Sequence, residues 1–242
     1  MEGYLQRAIP ATLAQGPWLF LPKARTSAAR TKRRSDCRVG PNGLETDQKK
    51  AHAERARVVF IDESGLLMAP LVRRTWAPRG HRPVLQQRGK HREKVSIAGA
   101  FWWASRRRQQ LGFIFETLVD AYYNKERSAA FLEVLMRAIP ERIIVVWDGG
   151  MMHKGDPIRE AVERFKPRLH LEKLPSYAPM LNPVEQVWSW LKYSRLCNNA
   201  PANAAELNRT IKGELRRITD DQGFLLNMWH GSDLPVPQAL LM

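Results

Sequence analysis

Three acidic side chains stand where this sequence could do chemistry: Asp62 in VVFIDESGLL, Asp148 in IIVVWDGG and Glu185 in LNPVEQVWSW. Asp62 and Glu63 are adjacent at the end of an apolar run. Side chains alternate across a strand, so the two carboxylates point to opposite faces and form no dyad. Asp62 falls in register with Val58 and Phe60, which puts a charge on an otherwise apolar face, costly unless cations meet it. Asp148 is carried to a sheet rim in the same way, and Gly149 and Gly150 behind it permit close approach of backbone or ligand. Glu185 follows a capping Asn182 and a Pro183 suited to the first helical position. Prolines at 175, 179 and 183 stiffen the approach and fix where that helix starts. Each acid has a bland alternative: a turn-capping Asp, a strand-ending Asp and a capping-box Glu. Taken together they are ligands for hard cations such as Mg²⁺ or Mn²⁺, which bind carboxylate and phosphate oxygens. Two such ions about 3.5 to 4 Å apart clamp the attacking and leaving oxygens of an in-line phosphoryl displacement.

The remaining charge suits a polyanionic partner. The 242 residues hold 39 Lys and Arg against 24 Asp and Glu, a net charge of +15, and the pI is near 10.3. Such a surface attracts nucleic acid first and acidic membranes second. The excess is concentrated between Arg73 and Arg108, where eleven Lys or Arg face one acid, Glu93. Arg73, Arg74, Arg79, Arg82, Arg88, Lys90, Arg92, Lys94, Arg106, Arg107 and Arg108, with Lys192, are the expected phosphate contacts; such contacts position a duplex without reading its sequence. Cys37 and Cys197 match no metal-type spacing and no disulfide framework. No apolar run approaches the roughly 20 residues of a membrane span, and no signal-peptide pattern opens the chain. A cytoplasmic, DNA-associated protein without a membrane partner is expected.

The elements that must position these acids are legible by period. RVVFIDE, KVSIAGAFWW (94 to 103) and LGFIFETLV (111 to 119) read as strands, the last two an antiparallel pair at the centre of a sheet. Phe131, Leu132, Leu135 and Ile139 form a helical stripe ended by Pro140. RIIVVWD is a further buried strand, followed by a helix from Pro157 to Phe165, the short strand RLHLEKL, a helix from about Val184 and a last helix over Ala204 to Ile218. Strands that meander and then alternate with helices make a mixed sheet with helices on its faces, an α/β fold. Residues 1–56 read as a basic, weakly ordered arm, 57–220 as the catalytic domain and 221–242 as a C-terminal tail.

Three stretches, VVFIDESG with RRTWAPRGHRPVL, VVWDGGMMHKG, and LPSYAPMLNPVEQVWSWLK, resemble the DDE transposase domain of the mariner superfamily, in particular its bacterial insertion-sequence branch. The likeness runs from about Val58 to Lys192. It implies a ribonuclease H-like fold, two Mg²⁺ or Mn²⁺ ions, cleavage of DNA at transposon ends with transfer into target DNA, and a homodimer on DNA. Asp62 would bridge both ions, Asp148 would hold one and Glu185 the other. His153 matches a family histidine, and Asn182 a positioning residue. A DNA-binding remnant without activity, and a nuclease of this fold without transposition, are the rival readings.

Overall fold

A computed structural model describes residues 56–69, 71–81, 83–86, 93–103, 110–150, 153, 155–175 and 177–235. The basic arm expected at 1–56 lies, apart from Ala56, outside the described residues. Among the described residues no helix is long and apolar enough to cross a membrane.

Five strands form one sheet in the order β3-β2-β1-β4-β5: β1 (Arg57–Leu67), β2 (Lys94–Trp103), β3 (Leu111–Val119), β4 (Ile143–Trp147) and β5 (Leu169–Lys173). The first three pair antiparallel, while β4 runs parallel to both β1 and β5. Helices α1 (Lys125–Ala138), α2 (Asp156–Arg164), α3 (Pro183–Trp190), α4 (Ala204–Thr219) and α5 (Gln222–His230) cover its two faces. This is the expected ribonuclease H-like arrangement. The near-continuous apolar runs of β2 and β4 follow from it, because a sheet covered on both sides buries both sets of side chains.

Strand alternation sorts β1 into two cores. Val59 and Ile61 pack with Val145, Trp147, Phe131, Leu132 and Ile158 on the face covered by α1 and α2. Phe60 packs with Val146, Phe101, Trp188, Leu215 and Trp229 on the face covered by α3, α4 and α5. Asn124 opens α1 by accepting the Arg127 amide N–H at 3.0 Å, and Pro140 lies beyond the end of that helix, as its missing donor requires.

Three expectations are corrected. β1 does not end at its acids: it continues to Leu67, because β2 backs it in unbroken register from Val59↔Trp102 to Leu67↔Lys94. The antiparallel pair β2–β3 is not central; β3 is an edge strand and β1 occupies the centre. The helix over 204–219 is not the last, since α5 follows it and buries Leu225 and Trp229. The Trp229 ring lies 5.8 Å from that of Phe60 and 5.9 Å from that of Phe101. QGFLLNMWH carries apolar residues on most of its surface, so no amphipathic stripe announces a helix there.

Candidate metal centre

β1 pairs with β4 only as far as Phe60↔Val146, and beyond that point it is held by β2 alone. The parallel strands part at their C-terminal ends, where open α/β sheets place their ligands. Asp62 and Asp148 each lie two residues beyond that last pair. Asp62 lies opposite Gly99 on β2, and its Oδ2 accepts the indole N–H of Trp188 at 2.8 Å. Gly99 makes that bond possible, since a Cβ there would stand 2.8 Å from the Trp188 ring and 3.2 Å from Phe113.

The helix that brings Glu185 is fixed to the same strand. The Asn182 side chain accepts the Val184 amide N–H at 3.1 Å and donates to the Ile61 carbonyl at 3.0 Å, both within the core. One residue thus caps α3 and ties its start to the peptide next to Asp62. The Asn182 backbone N–H donates to the Pro179 carbonyl at 3.0 Å, so the donor that a capping-box Glu185 would need is already taken. The Glu185 carboxylate is left to act on Asp62. Burial, then the charge of Glu185, Glu63 and Asp148, push the Asp62 pKa up to about 8, against the lowering influence of the Trp188 N–H.

Asp148 follows β4 directly. Its Oδ1 accepts the Gly150 amide N–H at 2.9 Å and lies 2.6 Å from His153 Nδ1, which is also 3.1 Å from the Asp148 carbonyl. The other imidazole nitrogen, Nε2, is 3.2 Å and 3.3 Å from the two Glu63 oxygens, and the ring stacks on Trp147 with centroids 3.8 Å apart. Burial works against protonation of His153, but Glu63 and Asp148 outweigh it and raise the pKa. Gly150 leaves room here: a Cβ would lie a tight 3.0 Å from Asp148 Oδ1 and 3.3 Å from the imidazole.

Asp62, Asp148 and Glu185 therefore gather at one end of the sheet, with His153 and Asn182 beside them. Sequence reasoning missed Trp188 and Glu63. The indole was indistinguishable from a core residue, and Glu63 was correctly sent to the other face but given no partner. No described Lys or Arg pairs with any of the three acids. No group of three His, Cys, Asp or Glu among the described residues is set to hold a metal ion. A buried carboxyl kept from ionising by other carboxylates fits a cation site, because a bound cation removes the repulsion.

The basic residues divide. Arg74 and Arg79 are exposed, in a segment from Leu71 to His81 whose described residues all face solvent, fully exposed Trp76 among them. Arg73 is exposed but engaged, since its guanidinium donates to the Tyr193 carbonyl at 2.6 Å and its backbone exchanges hydrogen bonds with Asn198. Lys192 is half-buried in the wide helical turn Leu191–Arg195 after α3. Lys94 is not presented to a ligand: it is buried, with its ammonium over the Tyr122 ring, and the loss of hydration lowers its pKa. Arg82, Arg88, Lys90, Arg92, Arg106, Arg107 and Arg108 lie outside the described residues.

The sequence model of the family described as DDE superfamily endonuclease matches residues 57–208. Among solved structures, a Mos1 transposase paired-end complex with left transposon end is similar at 16% identity and TM-score 0.54, over 86% of this chain and 63% of that one. A pre-cleavage Mos1 transpososome gives 15% identity and TM-score 0.55, over 86% and 63%. A Mos1 mariner paired-end complex with Mn gives 17% identity and TM-score 0.54, over 85% and 64%. These likenesses carry the fold, and the chain spans less than two thirds of the length of each. No curated protein matches.

Proposed function

Because the chain belongs to the DDE superfamily endonucleases, we propose that it cuts DNA strands and transfers the freed ends by metal-dependent phosphoryl transfer at Asp62, Asp148 and Glu185. The observation that carries this reading is the carboxylate cluster at the parted strands, whose buried member, Asp62, is pushed up to about 8 with no Lys or Arg partner described. Asp62, Asp148 and Glu185 would hold the divalent ions, with Asp62 contributing to both sites. Each ion then needs only two protein carboxylates, in keeping with the habit of Mg²⁺ of using one or two and completing its shell with waters and phosphate oxygens. Once bound, the pair supplies an activated water or 3′-hydroxyl and stabilises charge on the transferred phosphoryl group.

The protein's own part is positional. The Trp188 N–H holds one Asp62 oxygen, and no described residue hydrogen-bonds the other. Asn182 fixes the start of α3, and with it the direction of Glu185, to β1. His153 holds one oxygen of Asp148. Arg74 and Arg79, exposed beyond β1, with Arg82, Arg88, Lys90, Arg92, Arg106, Arg107 and Arg108, are assigned to the DNA backbone. Transposon-end and target DNA as substrates, and two copies of the chain working together on DNA, are supported by the likeness to complexes described as paired-end and strand-transfer assemblies. Mg²⁺ and Mn²⁺ as cofactors are supported by related structures described as containing those metals.

Asp148→Asn tests the assignment. Purified variant and wild type are compared for plasmid nicking in Mn²⁺, strand transfer from an oligonucleotide donor, and DNA binding in EDTA. Nicking is lost and salt-sensitive binding is kept. Nicking by Asp148→Asn at the wild-type rate refutes the triad, binding without nicking by the wild type identifies a remnant, and nicking without transfer products identifies a nuclease.

A further inference from the structure

Glu63 on β1 and Asp148 just after β4 point, by alternation, toward different faces of the sheet, yet one imidazole touches both. The geometry points to Glu63 as a positioning residue that acts through His153 to fix the Asp148 carboxylate, so that Oδ1 is held and Oδ2 is free for a divalent ion. The inference rests on the reading of Asp148 as a metal ligand given above.

Asp148 follows its strand in a stretch without regular structure, and its side chain is 54% exposed, so nothing in its own packing fixes the carboxylate. His153 does so from a buried seat. Its side chain is 5% exposed and that of Glu63 11%, and the ring is clamped flat against Trp147 with the planes 23° apart. Glu63 is oriented in turn by the Trp147 N–H, 3.4 Å from its Oε2. Both imidazole nitrogens face carboxylate oxygens, so the ring cannot rotate about its stacking axis without losing one contact. With Gly150 also donating to Oδ1, that oxygen is held from two sides and Oδ2 is engaged by no described group. Groups one step behind a metal ligand commonly set its orientation, and their removal weakens metal binding about 10- to 100-fold.

The test uses the full chain as wild type, Glu63→Ala, Glu63→Gln, His153→Ala and the Glu63→Ala/His153→Ala double variant. Mn²⁺ affinity is measured from the resonance signal of the free ion and, separately, from the Mn²⁺ concentration giving half-maximal nicking; melting temperature is recorded in EDTA. Glu63→Ala and His153→Ala each weaken Mn²⁺ binding about tenfold or more, and the double variant is no worse than either. Glu63→Gln, which keeps an acceptor for the imidazole, recovers most of the affinity. If Glu63→Ala lowers the melting temperature but leaves Mn²⁺ affinity within about twofold of wild type, Glu63 only pins the loop and the proposal is overturned. Additive losses in the double variant overturn it equally. Should Glu63→Ala not fold, Glu63→Gln near wild type with His153→Ala tenfold weaker supports the proposal, and equal affinities overturn it. Failure of the underlying reading looks different: Asp148→Asn then binds Mn²⁺ and nicks like wild type.

Discussion

Replacing Asp62 by Asn should stabilise the metal-free protein, and increasingly so as the pH rises. Burial and three neighbouring carboxylates hold the Asp62 carboxyl at about 8 instead of 3.8. Below the lower value both folded and unfolded chains carry the proton, and the full contribution to stability is present. Between the two values the unfolded chain releases the proton while the folded chain keeps it, so each pH unit costs the folded state about 1.4 kcal/mol. Above about 8 the loss is complete, on the order of 6 kcal/mol. Asn has no proton to lose and can still accept the Trp188 N–H through its amide oxygen, so the variant escapes this loss while keeping the shape. Thermal unfolding in EDTA should find the two proteins similar near pH 4 and the variant ahead by about 10 °C or more at pH 8.5. Mn²⁺ should close the gap by stabilising the wild type alone. Equal melting curves for both proteins at pH 8.5 in EDTA would refute the claim that burial and neighbouring carboxylates keep Asp62 protonated.

Gly99→Ala should lose nicking out of proportion to its stability cost, because the added methyl stands 2.8 Å from the Trp188 ring and displaces the donor that holds Asp62; overpacking of this kind costs about 1 to 3 kcal/mol in a denaturant titration. Trp188→Phe should keep most of the packing but lose the Asp62 hydrogen bond, lowering stability by about 1 kcal/mol or more at pH 8.5 and reducing the nicking rate at saturating Mn²⁺. Trp229→Ala should cost about 3 to 5 kcal/mol by emptying its place beside Phe60 and Phe101, and urea unfolding would read it directly. Removing exposed Arg74 and Arg79 together should reduce the slope of log affinity for DNA against log salt by about two, at roughly 0.9 per phosphate contact.

The sequence made some of this visible because the signals were local. Strand alternation separated Asp62 from Glu63, and the proline-stiffened run before Val184 placed the start of α3 at Pro183. The missed features are long-range. The continuation of β1 to Leu67 depends on β2 pairing across 26 intervening residues, which no local turn signal at Ser64 or Gly65 can report. Trp188 is an ordinary apolar position by period, and its N–H becomes functional only because Gly99, distant in the chain, opens the space beneath Asp62. Lys94 looked like one more cation in a basic run, yet it is the first residue of a buried strand and its ammonium folds over Tyr122. α5 was hidden for a different reason: only Leu225 and Trp229 of its 9 residues are buried, and its other apolar residues blur the stripe that would set its period.

Two adjacent acids on one strand are an awkward pair in a protein core, and the fold meets each with the same type of donor. Asp62 receives the N–H of Trp188 on one face of the sheet, and Glu63 that of Trp147 on the other, at the longer distance of 3.4 Å. An indole has an apolar body that seals the core and a single donor that satisfies one oxygen. It brings no charge. An arginine in either place would have answered the desolvation of the acid more fully, but it would have pulled the carboxylate pKa down and filled both oxygens. A neutral donor with one N–H leaves the Asp62 carboxylate electrostatically dissatisfied, as its value of about 8 records, and that dissatisfaction is the binding energy an incoming divalent cation can use.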